Sequence, residues 1–188
     1  MTSPPETFED REGYDEAFLG EFVVPMPVAR GSLGDDVLDV PGGRLDYTHF
    51  SVVMSKSRRI ALFVGVNISG EESVSIERSA DKWSLDGRIP ADAQVGEDMY
   101  TDNLLDRGHL VRREDPNWGA DADTANEDTF HFTNCSPQMG AFNQRTWLSL
   151  EDYVLKNARK WKDRVSVFTG PVLRDDDRIY RGVRVPTA

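Results

Sequence analysis

The chain has 188 residues, 38% of them hydrophobic, and its four Trp, nine Phe and five Tyr supply enough apolar surface for one domain with a sizeable core. A formal net charge of -11 excludes a generally basic nucleic-acid binder, whose phosphate contacts come from clustered Lys and Arg, so any polyanion site has to be local. The longest apolar run, Ile60 to Val66, is too short to span a bilayer, no secretory leader is recognisable, and the single Cys135 can form no internal disulfide, so the expectation is a protein with no membrane partner and a cytoplasmic home.

Residues 1 to about 45 are rich in Pro, Gly and acids, with Pro4-Pro5, Pro25-Met26-Pro27 and Pro41-Gly42-Gly43, and read as an irregular arm laid over a domain of residues 46–188. From Leu45 to Met54 and from Ile60 to Ile68, β-branched and aromatic runs flank Ser55-Lys56-Ser57-Arg58-Arg59, which predicts two strands joined by a polar hairpin loop. Residues 71–103 carry Gly87, Pro90 and Gly96 and are expected to be loops around a brief strand near Val74 to Arg78. Asp128 to Thr133 alternates polar and aromatic residues, as a half-buried strand would, with His131, like His49, read as structural. Asn143 to Trp161 repeats apolar residues at helical spacing (Trp147, Leu150, Tyr153, Val154, Trp161), with Trp147 and Leu150 assigned to the core. Strands are expected over Val165 to Leu173 and Ile179 to Val185, across a turn at Asp175-Asp176-Asp177. The fold class expected is α+β, a central mainly antiparallel sheet flanked by helices.

Chemistry concentrates in two segments. Asp106-Arg107-Gly108-His109-Leu110 places an acid, a base and a histidine within four residues, with Gly108 allowing backbone to approach a ligand closely. The second runs Phe130-His131-Phe132-Thr133-Asn134-Cys135-Ser136-Pro137-Gln138, then Phe142-Asn143-Gln144, then Trp147-Leu148-Ser149-Leu150-Glu151. Imidazole, with an ordinary pKa near 6.5, suits a general base working near neutral pH. A lone histidine is more often structural, an Asn before a helix often caps it, and an Asn at a strand end often forms a turn.

Together these segments resemble the DNA/RNA non-specific endonuclease family, the endonuclease G-like group of the ββα-metal superfamily. The resemblance rests on Asp-Arg-Gly-His, then Thr-Asn-x-x-Pro-Gln, then an Asn nine residues after the first, then Trp and Leu-Glu. It extends to Phe50-Ser51-Val52-Val53-Met54, Val66-Asn67-Ile68 and Phe168-Thr169-Gly170-Pro171-Val172. It implies a ββα-metal unit in which His109 is the general base and Asn143 the direct protein ligand of Mg2+, with Mn2+ as a substitute. Glu151, eight residues on and about 12 Å along a helix, is expected to reach the metal only through water, or else to be a solvated surface residue. Asp106 is a candidate to orient His109 or a metal water and Arg107 to grip phosphate, the alternative being a structural ion pair. Asn134 falls on the family's site-proximal Asn.

The family's transition-state arginine is expected upstream of Trp83-Ser84-Leu85-Asp86, where Arg78 is the nearest candidate and Arg88 the second. Arg58, Arg59, Arg112 and Arg113 are candidates to line a cationic groove or a plain solvated face. The implied reaction is sequence-non-specific hydrolysis of DNA and RNA phosphodiesters, leaving 5'-phosphate ends. Beyond these substrates, a homodimer and an inhibitor or partner protein are the implied protein partners, with no residue that decides between them. The domain is expected to lack the family's C-terminal portion. The competing reading from another class is a catalytically inactive nucleic-acid- or protein-binding module of the same fold.

Overall fold

A computed structural model of the chain describes residues 1–78, 81–140, 143 and 147–186. In chain order its strands are β1 (Thr2–Ser3), β2 (Leu45–Tyr47), β3 (Phe50–Met54), β4 (Ala61–Ser69), β5 (Leu85–Asp86), β6 (Leu105–His109), β7 (Cys135–Met139), β8 (Arg164–Thr169), β9 (Arg178–Tyr180) and β10 (Val183–Val185). The α-helices are α1 (Ser32–Asp35), α2 (Ala122–Asp128) and α3 (Leu148–Trp161). The fold is α+β, and its main sheet has the order β2-β3-β4-β8 with every pairing antiparallel.

Central strand β4 reads as a nearly unbroken apolar run because both of its faces are covered. Val64, Val66 and Ile68 pack with Leu155 and Ala158 of α3 in the largest core cluster. The other face lies under the N-terminal arm: Met26 packs against Gly65, and Asn67 Oδ1 accepts the Asp15 amide at 2.7 Å. The arm is also held by β1, which runs parallel to β5, and by Arg11, whose Nε lies 2.8 Å from the buried Asp128 carboxylate. Gly70 is where α3 meets the sheet, since a Cβ there would strike the Ala158 carbonyl.

Several local expectations are corrected. Leu45 to Met54 is two strands, because the chain reverses at Thr48-His49: His49 takes φ 67°, and Thr48 donates its amide and hydroxyl to Asp128. The His49 ring stacks on Trp118, with centroids 3.4 Å apart. No strand forms over 74–78, where one isolated bridge joins Ser73 to Trp118. Asp128 to Thr133 is not a strand either. Asp128 ends α2, Thr129 and Phe130 turn, His131 alone is extended and bridges Ser84 in parallel, and Phe132–Asn134 form a 3-10 turn. Ile179 to Val185 is a hairpin of β9 and β10 turning at Arg181-Gly182. The predicted helix exists over 148–161, with residues 144–146 lying outside the described residues. Its buried positions are Leu155 and Ala158, whereas Leu150 is 52% exposed and not core.

Candidate active site

Strands β6 and β7 form a two-stranded antiparallel ribbon with Asp106 opposite Gln138, Arg107 opposite Pro137 and His109 opposite Cys135. At Gly108 the Gln138 side chain folds across the ribbon into the space a Cβ would fill, so the close approach there is to a side chain of the protein itself. With α3, which follows β7, the ribbon makes a ββα unit. The second strand of that unit is Cys135–Met139, seven residues beyond the segment expected for it.

A cleft of about 580 Å³ opens over this unit, lined by Arg78, Asp106, Arg107, His109, Asn143 and Glu151 together with Asp81, Trp83, Leu105, Arg112, Arg113, Glu114 and Leu148. Residues separated by more than 70 positions in sequence, from Arg78 to Glu151, are thereby brought to one concave surface. Asn134 is not among them. It is fully buried, its Oδ1 accepting the Val111 amide at 2.9 Å and its Nδ2 donating to the carbonyls of Val111 (2.9 Å) and Thr129 (3.0 Å). Its amide is spent on pinning the backbone just after His109, which makes it a positioning residue. Arg88 is likewise committed elsewhere, to the buried Asp86 carboxylate at 2.7 Å and to the Phe8 ring at 3.9 Å. Arg58 is tied to Asp177 at 2.9 Å and to the Arg174 and Arg184 carbonyls.

His109 is held by rings. Trp83 lies 4.8 Å from it between centroids, and Phe130 meets it edge-on at 5.3 Å. Its Nε2 is buried without a hydrogen-bond partner among the described residues. Burial pushes the imidazole down to about 4, with Asp81 opposing the shift and Arg78 and Arg113 adding to it, so the ring is neutral near pH 7. Nothing in the sequence singles out Trp83 beyond its use as a landmark, yet its ring packs beside His109. An aromatic residue in an otherwise polar loop was the available signal.

Across the cleft, Asn143 Nδ2 donates to Asp106 Oδ2 at 3.1 Å, which orients the amide and leaves Oδ1 as the atom that could take a cation. Glu151 is half-buried, and burial raises its carboxyl to about 7, against the pull of Arg112 and of a hydrogen bond from the Trp147 side chain. Among the described residues no group of three or more His, Cys, Asp or Glu side chains could hold a metal. A soft, fully protein-coordinated ion does not match this set. One oriented amide oxygen with carboxylates nearby suits a hard cation that keeps most of its waters.

The cleft arginines are all paired. Arg78 meets Asp81 at 2.7 Å, Arg107 meets Glu97, Arg112 meets Asp152 at 2.7 Å and Arg113 meets Glu114 at 2.8 Å. The Arg78 pair is well exposed and the Arg107 pair half-exposed, so an incoming phosphate can replace their carboxylates at little cost.

Residues 31–188 match the DNA/RNA non-specific endonuclease family. The chain is 41% identical to an uncharacterized protein, y4fB, of Sinorhizobium fredii, over 98% of this chain and 30% of that protein. Nuclease C1 of Cunninghamella echinulata is 30% identical over 70% of this chain and 54% of its own length. Mitochondrial endonuclease G of Homo sapiens is 36% identical over 39% of this chain and 23% of its own length. The crystal structure of an EndoG/EndoGI complex, solved to explain EndoG inhibition, superposes with a TM-score of 0.64 at 22% identity, covering 77% of this chain and 64% of the other. That likeness is one of fold. The chain spans less than two thirds of the length of each of these relatives.

Proposed function

The chain belongs to the DNA/RNA non-specific endonuclease family, and from that membership we propose that it hydrolyses phosphodiester bonds of DNA and RNA without reading base sequence, through His109 and Asn143. The observation that carries the reading is that these two side chains, from β6 and from the approach to α3, line a single cleft.

His109, neutral and with an unpartnered Nε2 among the described residues, takes a proton from water as that water attacks phosphorus. The bond from phosphorus to the 3' oxygen breaks opposite the attacking water, and the departing oxygen takes a proton from solvent, giving a 5'-phosphate and a 3'-hydroxyl. Nothing in this route uses a ribose 2'-hydroxyl, so DNA and RNA are both substrates. Arg78 and Arg107 exchange Asp81 and Glu97 for phosphate oxygens as substrate enters, with Arg78 in the place of the transition-state arginine. Asn143 Oδ1 would hold a divalent ion, Mg2+ with Mn2+ as a substitute, with Asp106 and Glu151 reaching it through water. Bound there, the ion supplies charge stabilisation to the phosphate and the departing oxygen. The Asp106 to Asn143 hydrogen bond presents the ligating oxygen, and Trp83 and Phe130 hold the imidazole plane.

Supercoiled plasmid and a long RNA incubated with the purified chain and Mg2+ test the reading. Nicking and RNA degradation that stop on adding EDTA support it, and intact polymers at high protein concentration refute it.

A further inference from the structure

A second, smaller cavity, of about 140 Å³, is lined by Arg59, Gln94, Asp98, Arg181 and Val183 among others. Both arginines stand at backbone positions where a side chain is costly. Arg59 takes φ 58° at the end of the β3–β4 loop, where its amide returns to the Ser55 carbonyl. Arg181 takes φ 48° and Gly182 φ 74° in the two-residue β9–β10 turn, a conformation that Asn or Gly adopts most easily. Two separate loops thus carry Arg where Gly or Asn is easier, and both aim it into one cavity.

Neither guanidinium has a carboxylate partner among the described residues. The Arg181 side chain donates to the Asp98 carbonyl, and the Arg59 side chain makes no hydrogen bond or ion pair there. Asp98 also lines the cavity, yet its carboxylate forms no ion pair with either. The Gln94 amide is occupied with the Asp86 backbone at 2.9 and 2.7 Å. Each arginine of the active-site cleft, by contrast, is neutralised by an acid. Two cations facing one small volume, in a chain of net charge -11, call for an anion between them. The cavity also adjoins the cleft: Glu97 pairs with the cleft residue Arg107, and the next residue, Asp98, lines the second cavity.

We propose that Arg59 and Arg181 form a phosphate-binding notch that grips the nucleic-acid backbone beyond the scissile phosphate, extending the site described above along the strand. The notch reads no base and adds affinity for polymers. It rests on the nuclease reading for its ligand, and its test is separate.

Fluorescence anisotropy of a labelled oligothymidylate of about 20 nucleotides, in EDTA over a KCl series, measures binding without turnover. Arg59→Gln and Arg181→Gln should each weaken binding about threefold and lower the salt slope by about 0.7, with unchanged melting temperatures. Arg59→Lys should restore most of the slope, and Arg30→Gln, an exposed arginine lining neither cavity, should leave it unchanged. No binding by the wild type, or wild-type affinity and slope in both Gln variants, overturns the notch. Plasmid nicking by wild type alongside unchanged slopes would sink the notch alone. Arginine-dependent binding without any nicking would instead sink the nuclease reading and leave the notch standing.

Discussion

His109 is packed between rings, with no hydrogen bond to its Nε2 among the described residues, and that packing decides when it could serve as the proposed base. Burial holds it at about 4 instead of the ordinary 6.5, so in the free protein it is neutral across the whole physiological range. The acid limb of kcat/KM on a long DNA substrate should therefore lie near pH 4 to 5, and a limb at about 6.5 would show the imidazole to be solvated. Asp115 shows the opposite shift. Burial, reinforced by Glu151, raises it to about 7, and its Oδ1 has no hydrogen-bond partner. In the unfolded chain this carboxyl loses its proton near 3.8, whereas in the folded protein it keeps it to about 7. Its contribution to stability is accordingly full below pH 4 and lost as pH rises toward 7. Asp115→Asn should raise the stability at pH 8 by on the order of a few kcal/mol and leave it nearly unchanged at pH 4, as read by urea unfolding. That His109, Asn143, Glu151, Asp106 and Arg107 would come together could be read from the sequence because motif spacing carries them, and they line one cleft. Trp83 and Asp115 could not, since their importance comes from which side chains the fold packs beside them.

Among the elements, the ββα unit works as a frame whose parts fix one another. The buried amide of Asn134 bridges Val111 and Thr129, and so joins the chain leaving β6 to the chain entering β7. Asn134→Ala would leave two carbonyls and one amide unpaired in the interior, and should cost about 2 to 4 kcal/mol by chemical denaturation while the residual fold keeps its helix content. Strands β3 and β4 were legible because their burial is a property of the strands: a polar loop between apolar runs has few other readings. The face of α3 was not, since Leu150, Tyr153 and Trp161 mark a helical period but the sheet accepts Leu155 and Ala158, where Gly70 leaves room. Segment 128–133 misled for a related reason. Residues 128–133 are all buried, so the alternation of residue types marks no half-exposed face, and only His131 is extended, bridging Ser84 once between the end of α2 and a 3-10 turn.

On the scale of the whole molecule, charge and chemistry are kept apart. In a chain of net charge -11, four arginines line a cleft where their own carboxylates mask them, and Arg59 and Arg181 line a neighbouring notch with no such mask among the described residues. The N-terminal arm closes the face of the main sheet opposite α3, which leaves that sheet covered on both sides. Among the described residues no helix is long and apolar enough to cross a membrane. The proposed reaction requires His109 and Asn143 to act on one phosphate as a unit, and groups that act as a unit have effects that do not multiply. Single-turnover plasmid nicking by wild type, His109→Ala, Asn143→Ala and the double variant measures this directly. Each single change should slow cleavage by roughly 10²- to 10⁴-fold and the double variant should be little slower than the worse single one. Full nicking activity in either single variant, or losses that multiply in the double, would contradict the shared site.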